Sequence, residues 1–396
     1  MTFEKDQTNH STYPACEGLI SSSFCLRLII RNRALMKRDQ SDAMHNASHS
    51  AISRRTAIKV MGLGAVTTVF TSCALNGKQA TSQTVNFNPN KLSQLITKVI
   101  PRTKERVPAI GMGTFMTFDI LPGQPRDRLQ EVMRRFRDGG GRVIDTSPLY
   151  GMSEIIVGDE ATTLGITNDL FITNKIWATG EYLSDKSQAR RQFEQSKERL
   201  WRDRIDVMQV HSLVNVDIIL PILREWKKEG RISYLGVTHH ELPYFEPLAR
   251  WVENGDLDFV QVHYSIQERL AEKRILPTAA DRGTAVLVNM PFEKARLFEV
   301  VKGQPLPDFA REIGCENWAQ FFLKFVISHP AVTCAIPATS NPDHVSENMS
   351  AMRGALPDVQ MRTRMVKHME TLPAFDKLAQ MRPYPGKKFT GAVRLS

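Results

Sequence analysis

Four side chains carry the chemistry open to this sequence: Asp145, Tyr150, Lys175 and His211. Asp145 and Tyr150 share the stretch DTSPLYGMSE, Lys175 ends the run LFITNK, and His211 ends IDVMQVH. A free phenol, with a pKa of about 10, is too weak an acid for easy proton donation at neutral pH. An ammonium about 4 Å away would stabilise the phenolate by roughly 4 kcal/mol at an effective dielectric of about 20. At about 1.4 kcal/mol per pKa unit, that lowers the phenol by about three units before desolvation opposes it. Lys175 must stay charged for this, and Asp145 is placed to keep it so. His211 can donate to a substrate oxygen and orient it. A phenol tuned in this way gives its proton to a carbonyl oxygen as hydride reaches the carbon, a general-acid contribution of about 10²–10⁴-fold. Taken singly, each residue has a plainer reading: Asp145 as a helix cap, Lys175 reaching solvent, His211 as a satisfied core histidine, Tyr150 as a packing ring. Their joint placement is what favours chemistry.

That placement depends on the elements around them. Short β-branched or apolar runs predict strands at Ala109–Phe115, Arg142–Thr146, Leu170–Ile176, Ile205–His211, Ile232–Thr238, Phe259–Tyr264, Thr284–Met290 and Thr333–Pro337. Helical patterns such as QARRQFEQSKERLW and VDIILPILREWKKEG lie between them, and Gly230 after Lys227 and Lys228 makes a helix stop. Eight strand-plus-crossover units predict an α/β fold, a (β/α)8 TIM barrel in one domain. A doubly wound open sheet competes, but it would want G-x-G-x-x-G after its first strand, which GMGTF at Gly111 does not supply. In a parallel barrel the chemistry sits at the C-terminal strand ends. Asp145 follows the second strand, Lys175 lies at the end of the third, His211 closes the fourth, and Tyr150 stands in the loop past Asp145.

With these segments in place, the chain resembles the aldo/keto reductase family over about residues 105–355. GMGTF is similar to the family's first strand, DTSPLYGMSE to its Asp-x4-Tyr-Gly segment, FITNKIW to its lysine strand and DVMQVHS to its histidine strand. FVQVHYS resembles the strand that holds the nicotinamide, and IPATSNPDHVSEN the last-strand nucleotide segment. The resemblance implies a catalytic tetrad of Asp145, Tyr150, Lys175 and His211, with Tyr150 the proton donor. It implies NADPH as cofactor, with NADH the other candidate, and a small-molecule carbonyl substrate. Gln261 would bond the nicotinamide amide and Tyr264 would stack on its ring. Gly113 and Thr114 would lie near the nicotinamide, Thr238 and His239 stand where the family has Ser-Asn, and Glu347 and Asn348 would lie near adenine. Ala338 and His344 replace the family's lysine and arginine for the 2′-phosphate, which weakens the NADPH preference; Thr339, Ser340 and His344 remain to hold a phosphate. Phe115 and Trp177 would wall the substrate pocket.

The front of the chain reads as an address. SRRTAIK at Ser53–Lys59 is similar to the twin-arginine export motif, and the apolar run after it is far short of the ~20 residues that span a bilayer. Residues 1–73 are expected to be an export signal, 74–104 a tether, 105–355 the barrel and 356–396 a tail completing the barrel and pocket mouth. Cys73 after FTS resembles a lipoprotein cleavage site, so membrane contact would come only through the signal or a lipid on Cys73. The expected partner is the twin-arginine export machinery, and the expected location is the bacterial cell envelope, periplasmic or membrane-anchored. The net charge of +10 comes with no helix-turn-helix, zinc-finger or RNA-recognition pattern, so no nucleic acid is implied. His239, His240, His263 and His329 lack ligand spacing, and no metal is assigned. The rival to a turning-over reductase is an exported barrel that holds one nucleotide as a redox partner or sensor.

Overall fold

The computed structural model of the chain describes residues 95–177 and 186–394. Eight strands form one sheet in sequence order, every neighbouring pair parallel. A short antiparallel hairpin comes first, β1 (Thr97–Val99) and β2 (Arg106–Pro108). The eight are β3 (Met112–Gly113), β4 (Val143–Asp145), β5 (Phe171–Ile176), β6 (Ile205–Val210), β7 (Ile232–His239), β8 (Phe259–His263), β9 (Ala285–Asn289) and β10 (Val332–Ala335). Bridges Ile110–Ala335 and Gly113–Ala338 join β3 to β10, so the sheet closes into a (β/α)8 barrel. The seam is tight: a Cβ on Gly111 would lie 2.6 Å from the Val143 carbonyl oxygen, and one on Gly113 would lie 2.9 Å from that of Ile336. Glycine lets the shortest strand approach both neighbours.

Among the described residues ten α-helices follow: α1 (Asp127–Asp138), α2 (Ser153–Thr163), α3 (Lys186–Leu200), α4 (Val216–Lys228), α5 (Phe245–Asn254), α6 (Ile275–Arg282), α7 (Arg296–Val300), α8 (Trp318–Ser328), α9 (Pro342–Ser350) and α10 (Val359–Glu370). In α3, Ala189, Phe193, Ser196 and Leu200 form the buried stripe expected of one helical face. Helix α4 ends after Lys227 and Lys228, with Gly230 at φ +73° just beyond it, as its residues predict.

The inner layer of the barrel is apolar at its base. Val143, Phe171, Val207, Tyr234, Phe259, Leu287 and Ile336 meet there with Ile100 and Val107 of the hairpin, which close the bottom. This corrects the expected tether, since residues 97–104 are hairpin and floor; the rest of that segment and the export signal, with Arg54, Arg55 and Cys73, lie outside the described residues. Because strand side chains alternate, the residues two and four positions after these floor residues also face inward and rise toward the mouth. Among them are Asp145, Thr173, Lys175, Gln209, His211, Thr238, Gln261, His263 and Asn289. Polar groups in a parallel strand interior oppose burial unless they are paired, so this upper layer is where a site belongs.

Candidate active site

The tetrad residues come together at the mouth. β4 ends at Asp145, paired in register with Thr173, and Lys175 follows on the same inner face of β5. Lys175 Nζ donates to Asp145 Oδ2 at 2.8 Å and to the Thr146 carbonyl at 2.7 Å. The other carboxylate oxygen accepts from Thr173 Oγ1 at 2.6 Å and from Gln261 Nε2 at 2.9 Å. The pair is almost fully buried, and a buried ion pair persists only when its remaining hydrogen-bonding capacity is met, as it is here. The ammonium lies 5.0 Å from the centroid of the Tyr150 ring. Phe115 meets that ring edge-on at 5.0 Å, and His211 does so at 6.0 Å from the neighbouring strand end. His211 Nδ1 is 3.3 Å from Ser147 Oγ, and the chain leaves it through left-handed backbone at Ser212, Leu213 and Asn215. Such strain in non-glycine residues concentrates at functional sites.

Behind the inner face, Asn174 points outward. Its Nδ2 donates to Glu154 at 2.9 Å, and Arg199 of α3 donates to the same carboxylate at 3.0 Å. The final glutamate of DTSPLYGMSE thus ties the Tyr150 segment to the strand that carries Lys175.

The electrostatics correct one expectation. The Tyr150 phenol is raised well above its ordinary value, first by burial and then by the charges of Asp145 and Tyr384. The ammonium was expected to lower it. Burial is the largest cause and the Asp145 carboxylate acts in the same direction, so desolvation wins. Lys175 is itself drawn down by burial, against the pull of Asp145. His211 is pushed down to about 3, mainly by burial and next by Lys175, so its imidazole is neutral at physiological pH.

The expected nucleotide contacts divide. Tyr264 is a clear correction: its ring is fully buried against Phe325 and His329, and its hydroxyl donates to Glu272 and accepts from Arg362 at 2.6 Å. It faces the helices, because Gln261 and His263 hold the inward positions and the next residue must point out. Gln261 is committed internally, with its Nε2 on Asp145 and its Oε1 accepting from Thr238 Oγ1 at 2.9 Å. Thr114 is sealed in the seam, its N–H and hydroxyl both on the Asp145 carbonyl, and the Gly113 N–H bonds the Pro337 carbonyl. His239 is buried and stacked on Tyr244 at 3.9 Å. Trp177 is half-buried, its backbone held by Gln192.

At the far end, α9 starts behind Asn341, whose side chain accepts from Asp343 N. Thr339 is buried, Ser340 and Glu347 are half-buried, Asn348 is buried and His344 is exposed. Partial burial, then the cations Lys387 and Arg128, hold the His344 imidazole below its usual range against the opposing pull of Glu347.

Sequence reading passed over several inward polar groups. Asn289 ends β9 with its Oδ1 buried and without a partner, and Gln209, beside Lys175 in register, has neither amide atom paired. The rule that picked out Lys175, a polar residue at an inward strand end, would have found both. His263 hydrogen-bonds Glu293, which also accepts from Ser265 Oγ at 2.7 Å and from Arg296 at 3.1 Å. Among the described residues, no group of three histidine, cysteine or acidic side chains is placed to hold a metal.

A protein-family model described as the aldo/keto reductase family matches residues 109–366. The Bacillus subtilis protein named aldo-keto reductase YhdN is 28% identical over 190 residues, a match covering 45% of this chain and 56% of that protein's length. The NADH-specific methylglyoxal reductase of Escherichia coli is 27% identical over 269 residues, covering 55% of this chain and 81% of that protein. Among solved structures, an aldo/keto reductase from Klebsiella pneumoniae in complex with NADP and acetate superposes with a TM-score of 0.56 at 25% identity, covering 69% of this chain and 95% of that one. A holo-form aldo-keto reductase from Bacillus halodurans gives 0.57 at 20% identity over 69% of this chain and 96% of its own, a likeness of fold.

Proposed function

Because this chain belongs to the aldo/keto reductase family, we propose that it is an NAD(P)H-dependent oxidoreductase that reduces aldehyde or ketone carbonyls to alcohols, with Tyr150 as the proton donor. The observation that carries this reading is the buried Lys175–Asp145 pair whose ammonium lies 5.0 Å from the Tyr150 ring. Tyr150 holds its proton at neutral pH and gives it to the substrate oxygen. The phenolate left behind is stabilised by Lys175, whose charge Asp145, Thr173 and Gln261 secure. His211, neutral and on the next strand end, orients the oxygen, and Phe115 and Trp177 shape the apolar side of the pocket.

A nicotinamide dinucleotide suits the remaining groups. The buried, unpaired oxygen of Asn289 offers an acceptor at the rim, and the N–H groups that open α9, with Thr339 and Ser340 beside them, favour a phosphate. When bound, the reduced nicotinamide supplies the hydride. Arg128 and Lys387, within electrostatic reach of His344, stand in for the family's missing cations and support NADPH as the working cofactor. Lys387→Ala and Arg128→Ala are expected each to weaken NADPH about fivefold, as loss of ~1 kcal/mol from an exposed charge contact implies, and to leave NADH unchanged. Equal loss for both nucleotides, by fluorescence titration, would place the 2′-phosphate elsewhere.

The second reading, a barrel that holds its nucleotide as a redox partner, draws on the course of the C-terminal tail. The Tyr384 N–H donates to the Lys294 carbonyl after β9, the charge of Lys387 acts on His344 after β10, and the Val393 N–H donates to Asp119 after β3. The tail is thus tied to the loops after β9 and β3, with the charge of Lys387 acting on the nucleotide segment between them. Repeated turnover of an aldehyde panel with added NADPH supports the first reading, whereas one turnover per bound nucleotide supports the second. Export to the envelope completes the proposal, on the strength of Arg54-Arg55, the short apolar run and Cys73. N-terminal sequencing of the envelope protein is expected to show a start beyond Lys59; a mature chain starting upstream of Arg54 removes export.

A further inference from the structure

Asp119 stands in the loop after β3, 4% exposed, and both of its carboxylate oxygens are spent on backbone N–H groups from distant parts of the chain. Oδ1 accepts from Met152 N at 2.9 Å, two residues past Tyr150. Oδ2 accepts from Val393 N at 2.7 Å, in the C-terminal tail. Glycines make room on each side. A Cβ on Gly151, which sits at φ +61°, would lie 2.1 Å from Oδ1, and a Cβ on Gly391 would lie 2.3 Å from the carboxylate carbon. The Tyr150 loop is held besides by Ser153 Oγ, which bonds the Tyr150 and Thr114 carbonyls at 2.7 and 3.2 Å, by the Tyr150 N–H on the Ser147 carbonyl at 3.0 Å, and by Glu154 through Asn174 and Arg199.

We propose that Asp119 is a positioning residue that couples the C-terminal tail to the Tyr150 loop, so that the docked tail sets where the phenol stands. The reason is geometric. A carboxylate that accepts one N–H on each oxygen cannot lose one partner and keep its place, because the freed oxygen is left buried and unpaired. Between its bonds to Lys294 and Asp119 the tail carries Lys387, whose charge acts on His344 of the nucleotide segment. A nucleotide phosphate drawn to Lys387 would therefore reach Tyr150 through a single side chain. The consequence for catalysis rests on the reading of Tyr150 as the acid; the mechanical coupling does not.

Two variants of the full-length protein test it: Asp119→Asn, which keeps the shape but turns one acceptor into a donor, and a chain ended after Thr390, which removes Val393. Each is expected to lower kcat for aldehyde reduction by roughly 10–10²-fold, the loss that about an ångström of misplacement brings, with substrate KM nearly unchanged. The double variant should be no worse than either single one. Hydrogen exchange at the Met152 amide should quicken about tenfold or more in the truncated chain, although Met152 is far from the deletion in sequence. Gly391→Ala, which wedges a methyl group against Asp119, replaces the truncation if that chain does not fold. Wild-type exchange at Met152 in the tail variant, or effects on kcat that multiply, overturns the coupling. A wild-type protein without reductase activity would instead remove the proposed reaction, and Met152 exchange would still decide the coupling.

Discussion

Tyr150→Phe is expected to lower kcat for carbonyl reduction by about 10²–10⁴-fold while nucleotide affinity stays within about twofold of wild type. The substitution removes one oxygen and keeps the ring that Phe115 and His211 contact at 5.0 and 6.0 Å, so packing gives no reason for binding to change. The pH dependence sharpens the test. Burial, with Asp145 and Tyr384, raises the phenol well above its ordinary value. An acid with a raised pKa keeps its proton as pH climbs and loses it only beyond the usual phenol range. The wild-type rate should therefore hold through neutral pH, and its alkaline decline should come late. His211, at about 3, does not change charge between neutral and mildly acidic pH and adds no step there. A Phe variant that reduces aldehydes at the wild-type rate would end the assignment of Tyr150 as donor.

Lys175→Met should lose on the order of 10²–10³-fold in kcat, the usual cost of deleting one preorganised electrostatic group, and should also destabilise the fold. The second effect comes from Asp145. Without the ammonium at 2.8 Å, its carboxylate stays buried with only Thr173 and Gln261 as donors. Breaking a buried pair from one side costs about 3–5 kcal/mol, a large part of the stability of an ordinary domain. Lys175→Met combined with Asp145→Asn removes the stranded charge and should regain most of the stability in a denaturant titration, while the rate stays low. Recovery of both together would mean that the pair acts through folding alone. Recovery of neither would mean that Gln261 and Thr173 cannot accommodate a neutral partner.

Much of this site could be read from residue types because its logic is local. Asp145, Lys175 and His211 each sit at or just past the end of a strand whose apolar run is visible in the sequence, and a parallel barrel brings consecutive strand ends to one rim. At Tyr264 the family likeness and the local pattern diverge: the likeness directs the ring to the nicotinamide, whereas two-residue alternation directs it outward. With Gln261 and His263 facing in, Tyr264 had to face out, and Glu272 and Arg362 hold it there. Asn289 shows the converse. Alternation from Leu287 places it on the inner face, although the run VLVNM around it is otherwise apolar.

Hydrophobic period, turn residues and strand-end position were enough to determine the eight-stranded barrel, its order and the set of four ionisable side chains at its mouth, because each depends on neighbours a few residues away. Only the tertiary structure decided what those groups experience. Desolvation sets the Tyr150 phenol high with an ammonium close to its ring, Gln261 and Thr114 bond to Asp145, and the charges of Arg128 and Lys387 both act on His344. The tail reaches Asp119 across 274 positions. Burial and hydrogen-bond partnership are set by packing between segments far apart in the chain, and no local pattern carries that information.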